Sequence, residues 1–377
     1  MLARLWDKLT HGLDGTLVLL AVLILTVGLF TLYSAAYESP ARVTAQLANI
    51  VIAFVAMWIA AQIPPQALMR FAFPVYAVGL LLLIAVAVFG EVANGARRWL
   101  HVGVMRFQPS EMMKIAMPLM LAWYFHKRET SLALRDYVVA GLILAVPTLL
   151  IAKQPDLGTA LLVLAAGFYV IFLAGLSWRL IIPVVALAAV GIAALIVLET
   201  RICDQDLNWP GFKDYQKARV CTLLDPTTDP LGRGFHIIQA TIAVGSGGLL
   251  GKGWLEGTQT HLEFIPERST DFIFAVFSEE FGLVGNIVLL VLYLGLIGRG
   301  LLIAAGAPSF FARLLAGAIT LIFFTYAFVN MGMVSGLLPV VGVPLPLVSY
   351  GGTALVTLFV GLGILMSIQR HRRLVQT

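Results

Sequence analysis

The sequence predicts an all-α polytopic membrane protein with about ten transmembrane helices and one long extracytoplasmic loop between helices 7 and 8. The chain has 377 residues, of which 60% are hydrophobic and only 12% are charged, and its mean hydropathy is +0.93. Soluble domains are only about 45–50% apolar. Runs of about 20 apolar residues recur along the chain, as expected for membrane-spanning helices. The alternating, weakly apolar strands of a transmembrane barrel are absent from the sequence.

Ten apolar segments are predicted to span the membrane as helices. They cover residues 15–36, 45–63, 73–92, 110–126, 137–153, 158–176, 179–199, 272–297, 312–337 and 352–369. The first segment lacks a small-residue cleavage site and is long enough to remain as a helix, so we expect no cleaved signal peptide. Residues 200–270 are polar and rich in Asp, Gly and Pro, and they form the long loop.

The distribution of Lys and Arg predicts that both termini, residues 1–14 and 370–377, are cytoplasmic. With this orientation the short inner segments carry twelve cations: Arg4, Lys8, Arg70, Lys127, Arg128, Arg135, Arg179, Arg299, Arg313, Arg370, Arg372 and Arg373. The short outer loops carry five, namely Arg42, Arg97, Arg98, Arg106 and Lys153. An inner excess of this kind sets membrane orientation. The cations form no continuous stripe, so the net charge of +5 does not indicate nucleic-acid binding.

The long outer loop has two further features. Its second half, "GFHIIQATIAVGSGGLLGKGWLEGTQTHLEF", alternates apolar patches with glycines, and no patch is long enough to span. We predict re-entrant or interfacial helices there, because irregular backbone at membrane depth needs protein or a water-filled cavity around it. Cys203 and Cys221 both fall in this loop, and they are either a disulfide or two unpaired thiols.

Several polar residues lie at the predicted outer ends of the helices. Arg97, Arg98 and Arg106 are outside against the general bias, where they either anchor headgroups or bind an anion such as pyrophosphate or a phospholipid. Glu111 and Lys114 share one face of helix 4, and their pairing either orients that helix or serves a substrate. Asp156 is predicted to cap helix 6.

Two outer segments border the predicted last helices. The segment "LLPVVGVPLPLVSYGGTA" cannot be a regular helix, and its turn around Ser349 either offers N–H groups to an anion or is only a rigid loop. In "ERSTDFIFAVFSEEFG", Asp271 stands at the edge of an apolar run, with Glu279 and Glu280 just inside it. Charge beside hydrocarbon is costly, so Asp271 is a candidate functional residue.

These motifs together resemble the bacterial shape, elongation, division and sporulation (SEDS) family. The resemblance is carried by "GARRWL", "FQPSEMMKIA", "QPDLGTALL", the segment from "LLDPTTDPLGRGF" to "SEEFGLVG", and "GLLPVVGVPLPLVSYGG", which occur in the family's order. The similarity runs from about residue 15 to 370. The chain looks more like the elongation branch, the RodA type, than the division branch, because "LEFIPER" precedes "STDF".

The resemblance implies one membrane domain over residues 1–377 and a peptidoglycan glycosyltransferase activity. Such an enzyme polymerises the lipid-linked disaccharide lipid II at the periplasmic face of the inner membrane. The family's essential acidic residue corresponds to Asp271, and Arg98, Trp99, Glu111 and Lys114 match other important positions. The family often has His at the position of Ser269, and the "CDQDLNWPGF" segment is a local variation.

We therefore expect Asp271 to be the general base of a single inverting displacement. The leaving pyrophosphate is assigned to Arg98, Arg106, Lys114 and Lys153, with Gln216 and Arg219 from the long loop, and Arg42 is assigned to a second lipid substrate. Trp99, Glu111, Asp156 and Ser349 complete the predicted substrate-binding residues. A divalent cation, Mg or Mn, could assist, although no ligand cluster indicates one.

The resemblance also implies partners, and the residues leave rival functions open. The expected partners are the growing lipid-linked glycan, a class B penicillin-binding protein that crosslinks it, and the Mre proteins of the elongation complex. A lipid II flippase and a non-catalytic scaffold remain alternatives. The concentration of unusual charges in the outer half of the membrane favours chemistry at that surface over transport across the bilayer.

Overall fold

A computed structural model gives the fold of the chain. It describes residues 12–36, 39–93, 96–102, 105–198, 203, 214–228, 233–261 and 267–372. The described helices are α1 (Gly15–Ala35), α2 (Pro40–Gln62), α3 (Pro65–Phe89), α4 (Pro109–His126), α5 (Leu134–Lys153), α6 (Leu157–Leu173), α7 (Trp178–Val197), α8 (Asp214–Leu224), α9 (Arg233–Ser246), α10 (Thr258–His261), α11 (Ile273–Ala305), α12 (Phe310–Val334) and α13 (Gly352–Arg372). A 3-10 turn lies at Pro226–Thr228.

Each of the ten predicted spans coincides with one of the long helices, α1–α7 and α11–α13, so the predicted all-α polytopic fold is confirmed. Eight described helices are long and apolar enough to cross a membrane. The other two are α6, which has 17 residues, and α4, which carries the charged residues Glu111 and Lys114. The chain is a multi-pass membrane protein.

Several helices begin where the chain provides a start signal. Pro40, Pro65 and Pro109 are the first residues of α2, α3 and α4, a position at which the missing N–H of proline costs nothing. The Asp156 carboxylate accepts a hydrogen bond from the Thr159 N–H at 3.2 Å. Asp156 is therefore the N-cap of α6, as predicted.

A small antiparallel sheet, which was not predicted, lies between α3 and α4. Its strands are β1 (Glu91–Ala93), β2 (Ala96–Val102) and β3 (Met105–Phe107), in the order β1-β2-β3. Glu91 pairs with Trp99 across the first ladder, and Leu100 pairs with Phe107 across the second. The arginine-rich segment between α3 and α4 is therefore a small antiparallel sheet instead of an irregular loop.

The first of two compact units comprises Met1–Ala174, Leu289–Ala327 and Pro346–Thr377. Within it α2 and α13 pack at close range, because a Cβ added to Gly363 would lie 2.3 Å from the Met57 carbonyl oxygen. Small residues allow this close backbone approach in membrane bundles. In the same unit, Arg299 of α11 pairs with Asp14, the N-cap of α1, at 2.5 Å.

The second unit comprises Gly175–Val288 and Phe328–Leu345. It contains the short helices α8, α9 and α10, so the long loop does contain helices too short to span, as predicted. Cys203 and Cys221 form a disulfide with a Cα–Cα distance of 5.6 Å. This bond settles the alternative that the sequence left open.

Helix α11 is broken at Gly282, whose φ of 63° and ψ of −161° are not helical. The glycine loop, residues 247–253, bonds to both sides of the break. The N–H groups of Lys252 and Gly253 donate to the carbonyls of Glu279 and Glu280, at 3.0 and 3.1 Å. On the other side, the N–H groups of Leu283 and Val284 donate to the carbonyls of Gly248 and Leu249, at 3.0 and 3.1 Å.

The glycine loop thus supplies the backbone partners that the interrupted helix lacks. A helix break at membrane depth is tolerated only when its freed backbone groups find such partners within the protein. The loop needs glycine for this contact, since a Cβ at Gly251 would lie 2.1 Å from the Glu280 carbonyl oxygen.

Candidate functional site

Asp271 lies in a tight turn immediately before α11. The turn starts at Glu267, which has a φ of 50°, in the left-handed region that side chains rarely adopt. The Glu267 carbonyl accepts hydrogen bonds from the N–H groups of Thr270 and Phe272 at 3.0 and 3.3 Å. Thr270 Oγ1 also donates to the Glu267 carboxylate at 2.8 Å. These bonds hold the strained residue and fix where the Asp271 backbone enters the helix.

Asn330 of α12 holds the same turn from the other side. Its Nδ2 amide donates to the Asp271 carbonyl at 2.8 Å and to the Val343 carbonyl at 2.7 Å. Asn330 is fully buried, so both bonds are shielded from water. Gly342 lies beside the carboxylate, because a Cβ added there would be 3.3 Å from Asp271 Oδ2.

The surroundings of the Asp271 carboxyl group favour its neutral form. Burial raises the pKa of Asp271, the nearby Glu267 carboxylate raises it further, and Arg219 of α8 lowers it, with a net pKa of about 6. Desolvation and like charge both disfavour ionisation of a carboxyl group. The result is a carboxylate far more basic than an ordinary aspartate and still largely ionised at neutral pH.

Glu279 has a different environment, although it follows Asp271 by little more than two helical turns. Its carboxylate is fully buried and accepts hydrogen bonds from Lys252 Nζ at 2.7 Å and Thr258 Oγ1 at 3.1 Å. It also accepts from the N–H groups of Gln259 and Thr260, at 3.0 and 3.3 Å, at the start of α10. Glu279 is therefore an anchor for α10 and the glycine loop.

A second polar cluster lies in the first unit, on α4. Lys114 Nζ contacts Glu111 Oε1 at 2.5 Å and the hydroxyl of Tyr326, on α12, also at 2.5 Å. Lys114 is 2% exposed and Glu111 is 7% exposed. The predicted ion pair is present, and its ammonium group is enclosed by two protein partners. Tyr326 was not anticipated from the sequence.

The same end of α4 is tied to the turn before α6. Gln108, the residue that precedes α4, donates from Nε2 to Asp156 Oδ2 at 2.9 Å and to Ser110 Oγ at 3.0 Å. Arg98 of β2 donates from Nη2 to the Pro155 carbonyl. Strand β2 is therefore held against the turn before α6. Arg98 and Asp156, both predicted from motifs, lie close together there.

The turn around Ser349 is held by Gln46 of α2. Gln46 Nε2 donates to the Ser349 carbonyl at 3.4 Å, and Gln46 Oε1 accepts from the Gly351 N–H at 3.3 Å. The Gly351 N–H therefore has a protein acceptor in this structure, and the turn has the features of a rigid loop. A substrate role for Ser349 itself stays a prediction.

The remaining predicted residues differ in how far their side chains are exposed. Arg42 in the first turn of α2 and Lys153 at the end of α5 are exposed, and Trp99 in β2 is half-buried. The side chains of Arg106 and Gln216 lie outside the part of the chain that the structure describes. Within the described part, no group of three His, Cys, Asp or Glu side chains could hold a metal ion.

The family of the chain follows from comparison with known proteins. The sequence model of the family described as "Cell cycle protein", which takes in FtsW, RodA and SpoVE, matches residues 15–374. The chain belongs to this family. The peptidoglycan glycosyltransferase MrdB of Escherichia coli (strain K12), a relative, is 50% identical over 369 residues, which are 98% of this chain and 96% of MrdB. The peptidoglycan glycosyltransferase RodA of Treponema pallidum (strain Nichols) is 33% identical, over 94% of this chain and 97% of that protein.

Two solved structures have a similar fold. The rod shape determining protein RodA of Thermus thermophilus is 30% identical, with a TM-score of 0.70 over 96% of this chain and 97% of that one. A chain from a study of how a peptidoglycan synthase complex coordinates polymerization and crosslinking is 35% identical. Its TM-score is 0.79, over 96% of this chain and 98% of that chain.

Proposed function

We propose that this member of the FtsW, RodA and SpoVE family is a peptidoglycan glycosyltransferase that polymerises lipid II during cell elongation, with Asp271 as the general base. The observation that carries the proposal is the Asp271 carboxylate itself. It is partly buried at the start of α11, its backbone is fixed by Asn330, and its pKa is raised to about 6. The activity is supported by the relatives that share 50% and 33% of their residues with the chain.

The proposed reaction needs one base and one site of positive charge. A sugar 4-hydroxyl attacks the anomeric carbon that carries undecaprenyl pyrophosphate, the new glycosidic bond forms, and the bond to the pyrophosphate breaks. The configuration changes from α to β, so a single displacement is sufficient. Asp271 takes the hydroxyl proton, and a base with a pKa near the working pH combines ionisation with proton affinity.

Positive charge is needed for the pyrophosphate that leaves. Arg219 has this role in our proposal, because its charge already acts on Asp271 and preorganised charge is usually the largest catalytic contribution. Arg98, Arg106, Lys114, Lys153 and Gln216 remain predicted substrate contacts. Lys114 would have to share its ammonium group with Glu111 and Tyr326. A divalent cation stays an untested expectation.

The proposed location is the bacterial inner membrane, with both termini cytoplasmic and Asp271 on the periplasmic side. The excess of Lys and Arg in the predicted inner segments supports this orientation. A single cysteine at position 271 tests it, because Cys203 and Cys221 are bonded to each other. Labelling of Asp271→Cys by an impermeant maleimide in intact spheroplasts is the expected result. Labelling only after the inner face is opened would reject the orientation.

The proposed partner is a crosslinking enzyme, a class B penicillin-binding protein, within an elongation complex that includes Mre proteins. The similar chain from a peptidoglycan synthase complex supports a crosslinking partner. A transpeptidase beside the polymerase would receive the new glycan before it diffuses away.

The decisive experiment uses purified protein in nanodiscs with lipid II as the only substrate. We expect glycan chains from the native protein and a loss of about 10²–10⁴-fold for Asp271→Asn, the usual contribution of a general base. Glu280→Gln, which alters a carboxylate that we do not assign to the chemistry, is the matched control. Polymer from Asp271→Asn at the native rate would remove Asp271 from the mechanism. Lipid II reorientation without polymer would identify a flippase.

A further inference from the structure

A cavity of about 170 Å³ lies in the second unit between α8, α9 and the segment that follows α12. It is lined by Arg219, Thr222, His236, Ile237 and Val340. Arg219 and Thr222 are three residues apart on α8 and therefore share a helix face. Sites for whole small molecules are usually about 300–1,000 Å³, so this cavity suits one group of a larger ligand.

His236 of α9 gives the cavity a polar group that the protein does not use. Its ring stacks on Phe272, with the centroids 6.0 Å apart and an interplanar angle of 22°. Its Nδ1 atom is buried and has no hydrogen-bond partner among the described residues. Buried polar atoms are rarely left without a partner, so this nitrogen is available to a hydrogen-bonding group that enters the cavity.

The polar lining has the chemistry of a phosphate site. It combines a guanidinium group, a hydroxyl group and an imidazole ring, all of which donate hydrogen bonds to phosphate oxygens. Burial lowers the pKa of His236. The negative charge of Glu267 raises this pKa by less, so the pKa of His236 lies below its usual value. The ring is therefore neutral at pH 7 and carries one N–H donor. Ile237 and Val340 supply an apolar floor next to these donors.

The cavity adjoins the proposed reaction centre. Arg219 lines it and also lowers the pKa of Asp271. The ring of His236 rests on Phe272, the residue after Asp271, and Phe272 is 4% exposed. Glu267 acts electrostatically on both Asp271 and His236, but it is exposed and does not line the cavity. A ligand group held here would be close to the carboxylate that takes the proton.

We propose that this cavity binds the diphosphate group of a prenyl-diphosphate-linked sugar, with His236 and Thr222 as substrate-binding residues beside Arg219. This assignment rests on the proposed function and names the place where the leaving group is held. The apolar floor fits the first carbons of the prenyl chain, and the three donors fit the diphosphate oxygens. A phospholipid headgroup offers related chemistry, so the test must separate the two.

The test measures binding of undecaprenyl diphosphate to the purified full-length protein in detergent, by microscale thermophoresis. His236→Phe keeps the ring that stacks on Phe272 and removes both nitrogens. We expect it to weaken binding by about tenfold or more, the effect of losing one hydrogen bond to a charged group. His236→Gln restores an N–H donor and should bind within about threefold of the native protein. His371→Phe, at the end of α13, is the matched control and should bind like the native protein.

Thr222→Val, which keeps the side-chain shape and removes the hydroxyl, provides a second reading if His236→Phe does not fold. We expect it to weaken binding by several-fold with an unchanged melting temperature. Native affinity in both His236→Phe and Thr222→Val would overturn the assignment. Equal competition by phosphatidylglycerol would also overturn it, because the cavity would then be a phospholipid site.

The binding measurement is independent of the polymerisation assay. Histidine-dependent diphosphate binding by a protein that makes no glycan would reject the proposed function and retain the cavity. Polymerisation at the native rate by His236→Phe, with native affinity, would reject the cavity and retain the function.

Discussion

The Nδ2 amide of Asn330 donates a hydrogen bond of 2.8 Å to the backbone carbonyl of Asp271. The same amide donates to the Val343 carbonyl at 2.7 Å, so one buried side chain fixes both the turn that carries the base and the segment beside its carboxylate. Both bonds end on backbone carbonyls, and neither involves the Asp271 carboxylate. It is therefore a positioning residue in the proposed reaction.

Asn330→Ala should lower kcat for lipid II polymerisation by about 10- to 100-fold with little change in KM, because a displacement of about 1 Å can have an effect of this size. The melting temperature should also fall, since two buried carbonyls lose their donor. Ser335→Ala is the control, because the Ser335 hydroxyl donates to the Met331 carbonyl in the preceding helical turn. A fall in melting temperature with native kcat would show that Asn330 is purely structural.

The polymerisation rate should depend on pH with an acidic limb near pH 6. Asp271 has a pKa of about 6 and must be ionised to accept a proton. The rate is therefore retained above this pH and falls by about tenfold for each unit below it. If Asp271 had the pKa of an ordinary aspartate, the acidic limb would lie near pH 4. The rate at pH 5 would then be close to its plateau.

Two substitutions should move that limb in opposite directions. Glu267→Gln removes a negative charge that raises the pKa of Asp271, so the limb should move to lower pH. Arg219→Gln removes a positive charge that lowers this pKa, so the limb should move to higher pH. Each profile is scaled to its own plateau, and Glu129→Gln is the control. Shifts of the same sign would contradict the electrostatic account.

The Glu111–Lys114 pair can be separated into structural and substrate roles. Lys114→Met leaves a buried carboxylate without its cation and should destabilise the protein by about 3–5 kcal/mol. The double variant Glu111→Gln/Lys114→Met removes both charges and should recover most of the melting temperature. If Lys114 also binds substrate, the double variant stays inactive. Recovery of activity together with stability would assign the pair a structural role only.

Glu279 should matter for stability more than Lys252 does. Glu279→Gln places an amide among the donors around this carboxylate, whereas Lys252→Met removes only one of those donors. We expect Glu279→Gln to be the more destabilising by about 1–3 kcal/mol, the cost of leaving buried donors unsatisfied. Thermal melting in detergent measures this difference, with the exposed Glu256→Gln as control. The reverse order would mean that the ion pair, and not the backbone bonds, anchors the glycine loop.

The positions of the spanning helices could be predicted from the sequence because length and apolarity are local properties. The predicted borders of the helices were less accurate where the first helical turn contains polar residues. Helix α2 starts at Pro40 and α3 at Pro65, five and eight residues before the predicted spans. Helix α11 continues to Ala305, past the predicted end at residue 297, and Arg299 in this extension pairs with Asp14.

The candidate site was predictable only in part, for a related reason. Asp271, Glu111 and Lys114 are visible in the sequence because each places a charge at or inside an apolar run. Tyr326 and Gln46 are ordinary residues of their helices, and only tertiary packing brings them to Lys114 and to the Ser349 turn. Asn330 is likewise an ordinary polar residue of α12, and its partners are backbone carbonyls that no sequence pattern specifies. The short strands β1–β3 lacked a clear alternating pattern and were predicted as loop.

The break at Gly282 shortens the part of α11 that has to cross the bilayer. At about 1.5 Å per residue, an unbroken helix of 33 residues would be about 50 Å long, against a hydrocarbon thickness of about 30 Å. The 23 residues after the break, Leu283–Ala305, give about 35 Å and suffice for the crossing. The nine helical residues before the break are therefore not needed to span the hydrocarbon. They form a short helical segment that begins next to Asp271 and contains Glu279, so neither carboxylate has to lie within the length that crosses the hydrocarbon.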